Sequence, residues 1–536
     1  MERLIRHGPA AFSVILYLLL AALLCAAVLG AAGGRLIYVL DDAYIHMAVA
    51  KNLAAHGTWG IHPGEFASVS SSPLWTLLLA GVVRLTGPLE IVPFALNLLF
   101  GVLALLLFHR LLVDAGMPPP ARLLLAIAFV LATPLPAMAF TGQEHTLHIL
   151  LTLAFFFVAM RGLDDPSPAL SRCGAAVLGL AAAALTACRY EGAFLALAAG
   201  LLFAARRDWR RLLVTGAGSA FPIALYGTIS LSKGWAFLPN SLLLKGIHLD
   251  FSTGSRLAAS LGGTALTQLA RNDHLLMPVL AGLIFLLLGP SARGRAAALL
   301  FLLSTLLHLQ FARTGWFFRY EAWLVALALA AFAAAAGGRR WTLPDPRPLR
   351  LAALAGLAVV AGAPFALRAY GALVQVPGAA RNIFEQQVQV GEMLRRSFPG
   401  TAVAVNDIGA VAYYADVRVL DLWGLATMEA ARHKLDGTYT TAVIDALARE
   451  RGVTVAAVYD GWFDAYGGFP PAWERVGTWT IRDNIVCGKD TVAFYAAVPG
   501  AKEALERALL AYAPHLPPSV VQRGAYLERQ GAGENP

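Results

Sequence analysis

The chain has 536 residues, of which 58% are hydrophobic and 14% charged, with a mean hydropathy of +0.62. These values exclude an ordinary soluble enzyme and fit one polytopic membrane domain followed by one globular domain. The net charge of +9 does not call for a nucleic-acid partner. Most arginines stand in short loops between apolar runs, where the cytoplasmic ends of membrane helices carry them.

The first apolar run covers residues 9–33, with Arg3 and Arg6 ahead of it. It is too long for the core of a signal peptide and reads as a retained first span with a cytoplasmic N-terminus. The stretch from Leu40 to Ala54, LDDAYIHMAVAKNLA, opens on two adjacent carboxylates, Asp41 and Asp42. Ionisable groups at the lip of a membrane span are costly, and they mark function. One Asp can cap the helix that follows; the second has no such duty. Tyr44, Ile45, Ala48, Val49 and Leu53 form an apolar stripe, with His46, Lys51 and Asn52 turned to water. The pattern predicts a short helix lying at the outer surface. Asp42 and His46 are four residues apart and share a face, which makes them the candidate pair for a divalent cation, the one cofactor considered.

Further apolar segments near 90–112, 122–140, 145–160, 174–188, 191–205, 211–231, 274–289, 296–311, 318–336 and 349–372 bring the expected number of spans to about eleven. Alternate loops hold Arg110/Arg122, Arg161/Arg172, Arg206/Arg207/Arg210/Arg211, Arg293/Arg295 and Arg339/Arg340/Arg347/Arg350, and are read as cytoplasmic. An odd number of spans puts the tail on the same outer side as the two aspartates. From about residue 375 the pattern changes. Strands are expected at 401–407, 417–424 and after Gly452, helices at 441–452 and 502–513, and a hairpin between Trp473 and Ala497. The expected organisation is thus an α-helical polytopic membrane domain over 1–374, with an external loop at 34–75, followed by a small α/β periplasmic domain over 375–536. No phosphate-cradling Gly loop and no CxxC pair occurs, so neither a nucleotide site nor a zinc knuckle is expected.

Residues 40–80, LDDAYIHMAVAKNLAAHGTWGIHPGEFASVSSSPLWTLLLA, resemble the first external loop of bacterial GT-C-type membrane glycosyltransferases, above all relatives of the mycobacterial terminal arabinofuranosyltransferase. A DDAYI-like start, an NLA helix, a PGE turn and a PLW segment recur there in this order. TGQEHTLH (141–148), CRYEGAFLAL (188–197), LPNSLLLKG (238–246) and NDIGAVAYYADVRVLDLWGLA (406–426) fit the same group. His62, Tyr190 and His145 depart from its pattern.

The resemblance implies an inverting glycosyltransferase of the bacterial inner membrane. It would move a sugar from a polyprenyl-phosphate donor to a cell-envelope glycan or lipid on the periplasmic face. The leaving group would be a phosphate, which calls for cationic donors within reach; Arg189, Lys245 and Arg319 fall at expected outer ends of spans or in outer loops. Asp41 is the expected general base, with Asp42 positioning it or holding a cation. Glu144, His145, Glu191 and Asn240, in the matching segments, complete the expected donor site. A transporter or flippase is the rival reading, but it calls for inverted repeats and charges near mid-membrane. No repeat is evident in the sequence, and the charges gather towards one face.

Overall fold

The computed structural model describes residues 2–165, 171–247, 260, 263–337 and 348–528. The loop arginines Arg339, Arg340 and Arg347 lie outside them. Six described helices are long and apolar enough to cross a membrane: Gly8–Ala31, Ile91–Asp114, His145–Asp164, Trp209–Ser232, Ala292–Phe311 and Val359–Ser397. A seventh crossing is available if Gly263–Arg271 and Asp273–Leu288, bent by 115° at Asn272, form one span. Five shorter apolar helices of 10–17 residues, among them Arg172–Cys188, Gly192–Ala205 and Ala322–Ala336, complete the bundle. Leu, Phe and Ala from these helices interdigitate in a core that includes Phe108, Phe129, Phe155, Leu300 and Trp323. Many leucines remain on the outside of the bundle, Leu180, Leu213 and Leu287 among them, as a lipid-facing surface requires.

The last helix of the bundle does not stop where the composition changes. Pro348–Ile383 runs past residue 375 and continues through a π-helical turn at Phe384–Val388 into Gln389–Ser397. It leads into a six-stranded sheet of order β2-β1-β3-β5-β4-β6, with β1 Ala402–Val405, β2 Arg418–Asp421, β3 Val453–Val458, β4 Glu474–Thr480, β5 Thr491–Ala496 and β6 Val521–Arg523. Strands β2, β1 and β3 are parallel; β5, β4 and β6 are antiparallel to their neighbours. Side chains alternate across the sheet. Val403, Val405, Val455 and Phe494 join one core, while Ala402, Ala404, Leu420, Val458 and Ile444 form another on the opposite face. Five of the strands coincide with the expected ones. The short edge strand β6 was not anticipated, because three residues are too few for an alternating pattern to register.

The expected surface helix is not at a surface. Asp42–His56 is a helix, but His46 and Asn52 are buried with its apolar residues. It lies between helix Pro73–Thr86 and the short helix Gly409–Tyr414 of the sheet domain. Its polar side chains are satisfied inside: His46 Nδ1 lies 3.0 Å from Thr76 Oγ1, Asn52 Nδ2 donates to the Gly60 carbonyl, and Lys51 Nζ donates to the Tyr413 carbonyl. Amphipathic spacing cannot distinguish water from a second protein layer, because hydrogen-bond partners serve a polar face equally well.

Candidate active site

Consecutive residues at the start of a helix point about 100° apart, and so Asp41 and Asp42 diverge. Asp41 turns to the sheet domain. Its carboxylate accepts from the backbone N–H of Gly409 at 2.6 Å and of Ala410 at 2.8 Å, which are the first, otherwise unpaired donors of helix Gly409–Tyr414. It does not cap its own helix. Beside it lies Asp407, at the carboxyl end of β1, which accepts from Gln387 Nε2 and from the Tyr459 hydroxyl. Burial, and then repulsion from Asp407, raises the Asp41 carboxyl well above its ordinary pKa, and burial likewise raises Asp407.

Asp42 points the other way, into a cavity of about 410 Å³. There its Oδ2 receives Arg319 Nη2 at 2.7 Å and its Oδ1 receives Lys245 Nζ at 3.3 Å. Burial opposes the charged form, but Lys245 and Arg319 outweigh it and hold the carboxyl below the usual range. The three groups sum to one positive charge. Arg319 is 2% exposed and its Nη2 also meets the Tyr320 hydroxyl at 3.0 Å. Its Nε and Nη1 are buried with no hydrogen-bond partner among the described residues, and so is Ser241 Oγ on the same wall. Unsatisfied N–H groups on a buried guanidinium are costly, and an oxyanion entering the cavity would satisfy them. Much of the remaining wall is apolar, with Phe194, Leu238, Leu242, Ile247 and Phe311, beside the polar Gln143, Arg189, Glu191 and Arg313.

The loop that carries Arg319 is itself constrained. Trp316, Phe317 and Phe318 all have left-handed backbones, with φ of 41°, 56° and 60°, a conformation that costs non-glycine residues about 1–3 kcal/mol each. Arg368, from the long final helix, holds it by donating to the Phe318 carbonyl and to Glu321, while Glu321 accepts from the Gly315 N–H at 2.8 Å.

Of the expected donor residues, Arg189, Glu191, Lys245 and Arg319 line this cavity; Glu144, His145 and Asn240 do not, and neither does Asp41. Arg189 is present in an already neutralised form. Its Nη1 pairs with Glu144 at 2.6 Å and its Nη2 with Glu191 at 2.7 Å, so two carboxylates face one guanidinium. The Tyr320 ring stands between it and Arg319, with guanidinium-to-centroid distances of 5.6 and 4.8 Å. His145 Nε2 meets the Gln143 amide at 3.3 Å, and Asn240 reaches the sheet domain. Sequence reading missed Ser241, Asp407 and the Glu321–Arg368 pair, while Tyr320 lies in the aromatic stretch WFFRY (316–320), read as able to stack on a sugar or line a prenyl groove. Arg368 carried a readable signal, a lone charge inside an apolar run.

The Asp42–His46 pair does not fit a divalent cation. Both Asp42 oxygens face a cationic side chain, and no group of three or more His, Cys, Asp or Glu residues able to hold a metal occurs among the described residues.

Comparison with known proteins places the fold. A family profile described as a domain of unknown function (DUF8728) matches residues 381–495. No curated protein matches the chain. The chain is similar to ArnT from Cupriavidus metallidurans bound to undecaprenyl phosphate, with TM-score 0.53 and 13% identity over 92% of this chain and 98% of that one. The apo state of that protein gives 0.50 and 12%, over 92% and 99%. The oligosaccharyltransferase of Archaeoglobus fulgidus, in complex with Zn and sulfate, gives 0.46 and 11%, over 91% and 73%. The chain therefore has the ArnT-like GT-C fold with a small C-terminal sheet domain, and it is a multi-pass membrane protein.

Proposed function

We propose that this protein is a membrane glycosyltransferase that takes its sugar from a polyprenyl phosphate. The single observation that carries the reading is the Arg319 guanidinium: buried, paired to Asp42 through one nitrogen, and with its Nε and Nη1 without a partner among the described residues, beside Lys245 and apolar lining. A phosphate ester with a hydrocarbon tail matches that combination of charge, hydrogen-bond donors and greasy surface. The fold shared with ArnT, whose crystal structure holds undecaprenyl phosphate, supports the same donor class.

In this mechanism Lys245 and the free Arg319 donors receive the donor phosphate. As the phosphate shares these cations, their hold on Asp42 weakens and its basicity rises, so that its carboxylate becomes a competent base for the acceptor hydroxyl. The acceptor oxygen bonds to the anomeric carbon from the face opposite the phosphate. The bond from that carbon to the phosphate oxygen breaks, the hydroxyl proton passes to Asp42, and the electron pair leaves with the phosphate. Arg319 and Lys245 stabilise the developing charge. The base expected at Asp41 is therefore assigned to Asp42, since Asp41 is occupied by two backbone donors outside the cavity. Arg189 has a supporting role, fixing Glu191 and the Tyr320 face.

The reading puts the site and the sheet domain on the periplasmic side of the bacterial inner membrane, with the N-terminus cytoplasmic, as the loop arginines indicate. The sugar is a pentose such as arabinofuranose, or a hexose, and the acceptor a cell-envelope glycan or lipid. The test is transfer by purified protein from a panel of radiolabelled polyprenyl-phosphate sugars into membrane extracts, with and without chelator. Transfer from one donor, unchanged by chelator, supports the proposal. No transfer from any of them, with the protein folded, defeats it.

A further inference from the structure

We infer that the C-terminal sheet domain is part of the phosphate site, acting as a clamp on the short helix Asn240–Lys245 that carries Lys245. The inference rests on the reading of Lys245 as a phosphate ligand and gives the domain of unknown function a task at that ligand. It begins at the turn after β2, residues 421–427. Asp421 is buried at the strand end and organises the turn by accepting from the N–H groups of Trp423 at 2.8 Å and Ala426 at 2.7 Å, while its own N–H donates to Thr427 Oγ1. Tyr439 fixes the turn from below by donating to the Leu422 carbonyl at 2.7 Å, and Lys434 lies 3.4 Å from the centre of the Trp423 ring. Gly424 adopts φ 94°, and a Cβ there would fall 2.8 Å from the Ala431 nitrogen, so the turn closes tightly on its own domain.

Two groups of this rigid turn face the membrane module. The Gly424 carbonyl accepts from Asn240 Nδ2 at 2.8 Å, and Leu425 lines the cavity. Asn240 is fully buried at the start of the helix that ends in Lys245, and its backbone N–H donates to the Ser68 carbonyl of the external loop at 3.0 Å. The helix is thus gripped from both sides at its first residue. Six residues are too few for a helix to hold itself in water or lipid, so its position is set by these outside contacts. Lys245, a flexible chain with one point charge, reaches Asp42 only while its helix stays in that place. Asn240 is accordingly a positioning residue, acting on the phosphate through Lys245.

The test is a double-mutant cycle on the full-length protein, reading equilibrium binding of undecaprenyl phosphate in detergent by native mass spectrometry. Asn240→Ala and the similarly sized Asn240→Leu, neither of which has a side-chain donor for the Gly424 carbonyl, are each made alone and with Lys245→Ala. The two substitutions guard against one of them failing to fold. Loss of one buried hydrogen bond predicts binding weakened about fivefold in the native background, and no further loss once Lys245 is alanine. Equal loss in both backgrounds would mean that Asn240 acts independently of Lys245, and would overturn the clamp. Full binding by both Asn240 variants overturns it as well. Full binding by Lys245→Ala alone removes Lys245 from the phosphate site, and the clamp falls with it.

Discussion

Arg319 donates to Asp42 at 2.7 Å from 277 residues further along the chain, and the pairing sets one cation against one carboxylate in the cavity. A carboxylate alone at this place would repel a phosphate; two cations alone would hold one without offering a base. With Lys245 included, the cluster carries one net positive charge and a carboxylate whose basicity rises when the cations turn to another anion. The same contact makes the ion pair and the substrate compete for one guanidinium, which is a testable property.

Asp42→Asn keeps the shape of the side chain and removes the base. Transfer should fall by about 10²–10⁴-fold, the range for loss of a positioned base, while undecaprenyl phosphate binding is kept or strengthened because Arg319 and Lys245 are released. Assays of transfer and binding on the same purified variant check this. An Asp42→Asn protein with native transfer would rule out the assignment.

Arg319→Lys retains the charge and loses the planar fork. The Nε and Nη1 donors without partners among the described residues are the ones proposed to meet the phosphate, so the lysine should recover little. Turnover is expected to drop by about 10²-fold or more, as for removal of a donor to a developing oxyanion. Recovery of most activity by lysine would show that only net charge matters there.

Arg368 touches nothing in the cavity, yet it holds the left-handed residues Trp316–Phe318 through the Phe318 carbonyl and Glu321. Arg368→Met leaves Glu321 buried without its main partner. Stability should fall by about 3–5 kcal/mol, the cost of breaking a buried ion pair from one side. Thermal melting measures that loss. The double variant Arg368→Met/Glu321→Gln should melt higher than the single one, because no buried charge is then stranded.

Asp41 and Asp407 make stability depend on pH. Both are buried, and both have carboxyl pKa values raised above the ordinary one, near about 3.9 in an unfolded chain. A carboxyl raised in the folded state contributes its stability below the unfolded pKa and loses it as pH rises through the folded value. The wild type should therefore lose melting temperature as pH climbs from about 4 towards neutral. Asp407→Asn should flatten that slope, since Asp41 keeps its two backbone donors and loses its like-charged neighbour. Parallel melting profiles from the two proteins would contradict the coupling.

The sequence by itself determined the material of this protein. Apolar runs long enough for lipid, arginines in alternate loops, strand-like and helix-like periods after the last run, an acidic doublet and a few isolated cations follow from composition and spacing. These are local properties, because hydropathy and side-chain period act within a few residues. Only the tertiary structure decided what each charged group does. The spacing made Asp41 and Asp42 diverge, but which of them faces the cavity depended on the sheet domain arriving to cover the other. Lys245 and Arg319 meet Asp42 from 203 and 277 residues away, and Arg189 is neutralised partly by Glu144, 45 residues upstream. Electrostatic partners at such separations are chosen by how the helices pack, and packing is a property of the whole bundle that no single stretch of chain encodes.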